Sequence, residues 1–307
     1  MTDVADRLAT APVTWGVWEM TIDRGGLLTP AQMLGVAEDL GYRAIELGPI
    51  GYFGADAAGV RAALEPAGMA LVGAFVELRF ADADGFAEDA ALLDATLAIL
   101  TGASAGAPLL LADGGSPARR AASGNLAALA ETALDAAAFA AAMDRVRRAL
   151  ERAADAGVPV AFHPHAATYV ETPAEIEGLL EATAGDGMGI CLDSGHTLVG
   201  GGDPVAVAEA CGDRITHLHL KDVDGAVLAR LRAGEIDVDG GWEAGLFCPF
   251  GAGEVDLAAF LAAPPVRACD GWLVLEQDRM QVTAGDLPAV AAVERANRER
   301  VLAWATA

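Results

Sequence analysis

Five histidines in 307 residues all lie between positions 163 and 219. His163 and His165 stand one residue apart in "HPHAATYVET", directly after the apolar run "VPVAF". His196 follows Asp193 in "CLDSGH", and His217 and His219 alternate in "THLHLKD". A further acid, Glu276, ends the run in "GWLVLEQD". Imidazole and carboxylate groups together ligate divalent cations, and imidazole moves protons near neutral pH. A lone histidine at a strand end is usually a hydrogen-bonded structural group. All of a chain's histidines at such ends, with Asp193 and Glu276 beside them, point instead to a site for one divalent metal. Residues two apart on a strand face the same side, so each histidine pair can turn inward together.

To gather those groups the fold must bring the ends of four runs together. Eight short apolar runs alternate with alanine-rich amphipathic stretches: residues 11–16, 43–48, 69–75, 107–113, 158–163, 187–193, 214–222 and 271–278. Several are apolar without alternation, as strands covered on both faces are. The stretches between them carry helix starts such as Thr29–Pro30 and stops such as Gly41. Eight strand–helix units predict an α/β fold, a single (β/α)8 TIM barrel over residues 1–307. A doubly wound open sheet is the alternative, but eight units and the lack of a Gly-rich phosphate loop favour closure. The ends of the fifth to eighth strands then converge on one pocket. Two connections are long, 113–135 and 223–255. The second carries Trp242, Phe247 and Phe250, too apolar for a plain solvated loop, and is expected to close over the pocket.

Composition narrows the partners. Forty-four acids against 20 bases give a net charge of −24, which repels nucleic-acid phosphates and anionic lipid but neither a metal cation nor a neutral polyol. No apolar run is long enough to span a membrane, and the first residues lack the apolar segment of a signal peptide, so a cytoplasmic location is expected. Cys191, Cys211, Cys248 and Cys269 show no CxxC spacing and read as buried thiols. The GxG of "FGAGEVD" reads as a turn before a helix. Trp15 and Trp18 either wall the pocket beneath a sugar ring or sit in the barrel core. Glu46 either bonds substrate hydroxyls or pairs with Arg43. Lys221 either transfers a proton or pairs with Asp193 or Asp222.

The segments "HPHAATYVET", "CLDSGHTLVGGGDP", "DRITHLHLKDV", "FCPFGAGEVDLAAF" and "GWLVLEQD" resemble the xylose isomerase-like TIM-barrel family of sugar isomerases and epimerases. Within it they are most similar to the inosose dehydratases of myo-inositol catabolism, as are "GYRAIELGPIGYF" and "TWGVWE". The resemblance implies a metal held by Asp193, His219 and Glu276. The fourth ligand is a glutamate in the epimerases, and His163 stands at that place here. His165 falls on a substrate-contacting histidine and is the substitute ligand. Mn2+ or Co2+ is the expected ion, with Mg2+ also accepted. Ketose epimerases use two metal-bound glutamates on opposite faces of the substrate, and His163 removes one of them. Ser194–Gly195–His196 stands where the dehydratases commonly have Thr-Gly-His, and "EQD" is shorter than their usual acidic run.

The resemblance therefore implies a lyase that removes water from a cyclic polyol ketone such as scyllo-inosose. The alternative is an isomerase or epimerase of a non-phosphorylated ketose acting through an enediolate. A binding module that kept the barrel and lost activity is disfavoured by the intact Asp193, His219 and Glu276. His165 or His196 is the expected base, and Lys221 or the partner histidine the expected acid. Trp15, Trp18, Glu46 and Phe247 are the expected substrate contacts. A small polyol or sugar is the partner, and a homo-oligomer is open.

Overall fold

The structure, a computed structural model, describes residues 4–305. Its strands in chain order are β1 (Leu8–Thr10), β2 (Ala44–Ile45), β3 (Ala70–Leu71), β4 (Ala74–Leu78), β5 (Leu109–Asp113), β6 (Val160–Phe162), β7 (Gly189–Asp193), β8 (Ile215–Leu220), β9 (Asp222–Val223), β10 (Phe247–Cys248) and β11 (Leu273–Leu275). Nine of them form one parallel sheet in the order β3-β2-β1-β11-β8-β7-β6-β5-β4. Its two ends, β3 and β4, are halves of one stretch interrupted at Val72–Gly73. The Val72 amide donates to Ile45, and Gly73 accepts from the Leu47 amide, on one side. On the other side the Ala74 amide donates to Pro108. The sheet thus curls back on itself as the eight staves of a TIM barrel.

One principal helix follows each stave: Pro30–Asp39, Ala57–Leu64, Ala90–Ala103, Ala136–Asp155, Pro173–Ala182, Pro204–Cys211, Leu257–Ala262 and Leu287–Ala305. Their starts are written locally. Thr29 with Gln32, and Thr172 with Glu175, close reciprocal capping boxes ahead of a proline in the first turn. Ala136–Asp155 buries Ala142, Met143, Val146, Ala149 and Ala153, one stripe at spacings of one, three and four. Staves β5 and β7 are buried at every position, as their unbroken apolar runs require.

The first stave departs from expectation. The run 11–16 is not a strand: the stave is Leu8–Thr10, and Pro12–Trp15 forms a 3-10 turn. Pro12 has no amide proton to give a neighbouring strand, so the ladder stops before it. The two long connections are structured. Residues 113–135 hold helices Pro117–Ala122 and Leu126–Glu131. Residues 223–255 hold helices Gly225–Arg232 and Val238–Glu243, and β10 pairs antiparallel with β9. Asp222 anchors that excursion. Its Oδ2 accepts the amides of Gly251 and Gly253 at 2.7 and 2.9 Å, and its Oδ1 those of Val223 and Val255 at 2.9 and 3.0 Å. A Cβ on Gly253 would lie 2.3 Å from Asp222 Oδ1, so the glycine pair of "FGAGEVD" is a close-approach turn around a carboxylate. No helix among the described residues is long and apolar enough to cross a membrane.

Candidate active site

Parallel staves present their C-terminal ends on one face, and the chemistry-bearing side chains gather there. Asp193 ends β7 and caps the short helix Ser194–Val199, its Oδ1 accepting the amides of Gly195 and His196 at 2.7 and 2.8 Å. This fixes the carboxylate and leaves Oδ2 buried with no hydrogen-bond donor of acceptable geometry. Opposite it on β8 stands His219, in register with Asp193. His219 Nδ1 lies 3.0 Å from Glu276 Oε2 and 3.7 Å from Asp193 Oδ2. Donor atoms of Asp193, His219 and Glu276 all lie within 4.8 Å of one another. Two carboxylates and an imidazole at that separation suit a divalent cation, and Asp193 Oδ2 already faces a cation, the Lys221 ammonium at 3.1 Å. His163, just past β6, puts Nε2 3.1 Å from His219 Nδ1 and 3.9 Å from Asp193 Oδ2.

Glu46, which follows β2, is the orienting group. Its Oε1 lies 2.9 Å from Nε2 of both His217 and His219. A carboxylate on Nε2 makes that nitrogen the donor and turns Nδ1 toward Asp193 and Glu276. The pairing partner that sequence offered for Glu46, Arg43, bonds instead to the carbonyls of Glu38 and Tyr42. Burial alone would raise the carboxyl of Glu46, but the two imidazoles hold it below its ordinary value. Glu276 is held well below its ordinary range, the cost of burial being outweighed by His219 and Lys221. Burial disfavours charge on His219, yet Cys191, Glu276 and Glu46 carry its pKa well above the usual value.

Lys221, one residue past β8, reaches into the same cluster. Its Nζ lies 2.7 Å from Glu276 Oε2, 3.1 Å from Asp193 Oδ2, 3.3 Å from Asp278 Oδ1 and 3.1 Å from His196 Nε2. These acids hold it charged in spite of burial. Beside it His165 is half-buried, its Nδ1 2.8 Å from the Ala166 carbonyl. That contact makes Nδ1 the donor and leaves Nε2 with its lone pair. Burial and then Lys221 pull the His165 pKa down to about 3, so the ring is neutral across the working range. His165 stacks on His196 with centroids 3.7 Å apart.

A cleft of about 760 Å3, counted to its open mouth, connects these groups to solvent. His163, His165, His219, Lys221, Glu276 and Glu46 line its floor, with Trp18, Trp242 and Phe75 on its walls. The rings of Trp18 and Trp242 meet edge to face at 5.3 Å. Arg120 lies over Trp242 and pairs with Asp239, and Glu19 and Glu77 stand at the rim.

Three expected site residues lie elsewhere. His196 is buried behind the wall and does not line the cleft, its Nε2 lying 3.1 Å from Lys221 Nζ. Trp15 is fully buried, its indole bonded to Thr10 Oγ1 at 3.2 Å, and is barrel core rather than cleft wall. Phe247 is buried against Lys221 and the His196 ring and does not line the cleft. Of the excursion 223–255, Trp242 reaches the cleft, whereas Phe250 is buried and its amide bonds Asn297 on the C-terminal helix. Sequence reasoning missed Glu19, Glu77, Arg120 and Asp278. Asp278 stands two residues after Glu276 in the "EQD" run, a spacing that could have disclosed it.

An eight-stave barrel with acids and imidazoles at the C-terminal ends of staves five to eight defines a class, and the comparisons give it a name. Residues 34–299 match the model of the xylose isomerase-like TIM barrel family, and the chain belongs to that family. It is 28% identical over 277 residues to an inosose dehydratase of Geobacillus kaustophilus (strain HTA426), covering 89% of this chain and 87% of that one. Over 129 residues it is 40% identical to the rhizopine catabolism protein MocC of Rhizobium meliloti. That match covers 42% of this chain and about two fifths (39%) of the relative's length. Among solved structures, the IOLI protein with a bound zinc atom aligns at TM-score 0.69 and 14% identity, over 97% of this chain and 98% of that one, a likeness of fold.

Proposed function

We propose that this chain is a metal-dependent lyase that removes water from a cyclic polyol ketone of the inosose kind. The observation that carries the reading is the neutral, half-buried His165, with a free Nε2, lining the same cleft as His219 and Glu276, two members of the Asp193–His219–Glu276 set. Asp193, His219 and Glu276 would hold the ion, and His163, expected from the sequence as the fourth ligand, stands beside that set with Nε2 3.9 Å from Asp193 Oδ2. A divalent ion there supplies Lewis-acid stabilisation of charge developing on a substrate oxygen. Lys221 Nζ lies on the same two carboxylates, and Asp278, 3.3 Å away, is the partner that would remain to it if an ion were held there.

The protein's own groups account for the protons. His165 Nε2 takes the proton from the carbon beside the carbonyl, and the ammonium of Lys221 gives one to the departing β-hydroxyl, which leaves as water. The imidazolium then returns its proton to the amine, restoring both groups. Trp18 and Trp242 offer apolar edges to the C–H faces of a ring, and Glu19 and Glu77 accept bonds from hydroxyls at the rim. The expected ion is Mn2+ or Co2+. The test is incubation with scyllo-inosose and Mn2+, following dione absorbance, with a ketohexose offered in parallel. Loss of water from inosose supports the reading; efficient epimerisation of the ketose with inosose untouched replaces it by the epimerase. In the same assay His163→Glu is expected to weaken dehydration and to admit some proton exchange on the ketose.

A further inference from the structure

The four expected metal ligands do not form one set. Asp193, His219 and Glu276 group together, while His163 groups with His219 and Cys191, again with ligand atoms mutually within 4.8 Å. Cys191 stands two residues before Asp193 on β7, so its side chain faces the same way, about 6–7 Å deeper along the stave. It is completely buried, as are His163 and His219 to within 2%. The two sets differ in chemistry. The upper one offers two hard carboxylate oxygens and one nitrogen, with an ammonium already on the oxygens. The lower one offers two imidazoles and a sulfur, the donor combination that selects zinc-like and other thiophilic ions.

We propose that His163, Cys191 and His219 form a second metal set, one that takes a thiophilic divalent ion such as Zn2+ or Cd2+. It excludes an ion in the carboxylate set, because both need His219. As the metal–sulfur bond forms, the thiol proton leaves to solvent and no electron is transferred. Glu46, on His219 Nε2, prevents that ring from bridging two ions. An ion in the lower set would therefore lie off the cleft-facing carboxylates and compete with the ion that supports turnover. The proposal stands apart from the lyase reading, since it concerns which ion binds where.

Metal-free protein titrated with Cd2+ under reducing, oxygen-free conditions tests it. The expected result is a sulfur-to-cadmium charge-transfer band in the ultraviolet, abolished in Cys191→Ser. No other cysteine belongs to a metal-capable grouping among the described residues, so Cys191 is the expected source of such a band. Zn2+ affinity should fall by about tenfold or more in the variant, while Mn2+ affinity, read by electron paramagnetic resonance, stays as in the wild type. Bound Cd2+ without the band, or a band that survives in Cys191→Ser, overturns the proposal. Should Cys191→Ser fail to fold, X-ray absorption of the Zn2+-loaded wild type decides. A sulfur neighbour at about 2.3 Å supports the lower set, and nitrogen and oxygen neighbours alone overturn it.

Discussion

His219 works through both its nitrogens, and Glu46 decides which does what. With Nε2 2.9 Å from Glu46 Oε1, the nitrogen left for the cluster is Nδ1, 3.0 Å from Glu276. Glu46→Gln keeps the shape but loses the charge that fixes this tautomer, so Mn2+ affinity is expected to fall by about 10–100-fold. Calorimetric titration of Mn2+ checks this. Reduced turnover at unchanged affinity would return Glu46 to the substrate-contacting role that sequence suggested. His165 and His196 separate in the same way. His165→Asn should lower kcat by roughly 10²–10⁴-fold with metal retained, the usual loss when a proton-transfer group goes. His196→Asn should cost much less in kcat, because His196 is buried behind the wall and does not line the cleft. Equal losses in the two variants would contradict that division. The histidines were conspicuous in the sequence because their types are rare and their positions mark strand ends. Their division of labour was not, because it depends on which nitrogen meets which neighbour across 25 to 173 residues.

The loop that carries His165 is held by an adjoining one. Asp113 Oδ1, at the end of β5, accepts the amides of Gly115 and Tyr169 at 2.7 and 3.0 Å. Glu171 accepts from Ser123 Oγ and the Gly124 amide on one oxygen and from the Ala167 amide on the other. Ala167 has φ 71°, a left-handed conformation, and a Cβ on Gly115 (φ 58°) would fall 2.1 Å from its carbonyl oxygen. Two loops locked by buried carboxylates give His165 its fixed place. Burial raises Glu171 to about 7 against its three donors, and Asp113 to about 6. A carboxyl raised on folding contributes its stability in full below its unfolded pKa. That contribution is lost as pH rises toward the folded value. Glu171→Gln should therefore gain on the wild type between about pH 4.5 and pH 7, by at most about 3 kcal/mol at 1.36 kcal/mol per pKa unit. Urea melts of both proteins at steps across that window measure the difference; a gap that widens toward alkaline pH in favour of the wild type would refute it. Most staves and helices were legible from apolar runs and Thr-Pro starts. The first stave was misplaced because Pro12 ends pairing inside an apolar run, and a proline in a run carries no sign of which side the strand lies on. Likewise the break at Val72–Gly73 divides a stave that reads as continuous, since hydrophobicity registers burial and not the path of the backbone.

At the scale of the whole molecule, a charge of −24 surrounds a cleft that Glu19 and Glu77 line, burial raising both carboxyls and carrying Glu77 to about 7. The nearest rim cation, Arg120, is paired with Asp239 and lies over Trp242. A phosphorylated sugar entering this cleft would approach like charge throughout, and none of the cleft-lining bases is free of a carboxylate neighbour: Lys221 has Asp193, Glu276 and Asp278. A neutral polyol ketone meets no such barrier, and its hydroxyls can bond to the rim carboxylates. On the proposed function, the field would select the substrate by what it repels. Raising the ionic strength from about 0.1 M to about 1 M shortens the screening length from ~10 to ~3 Å. If the field is the filter, kcat/KM for a neutral inosose should stay nearly constant over that range. A phosphorylated ketose should be a poor ligand at low salt and improve as salt is added. The decisive comparison is kcat/KM for the two substrates along one salt series with metal held saturating. Equal use of both at low salt, or a phosphorylated ketose that weakens as salt rises, would mean that the cleft attracts anions by a local arrangement of bases, and the selection argued from charge would fall.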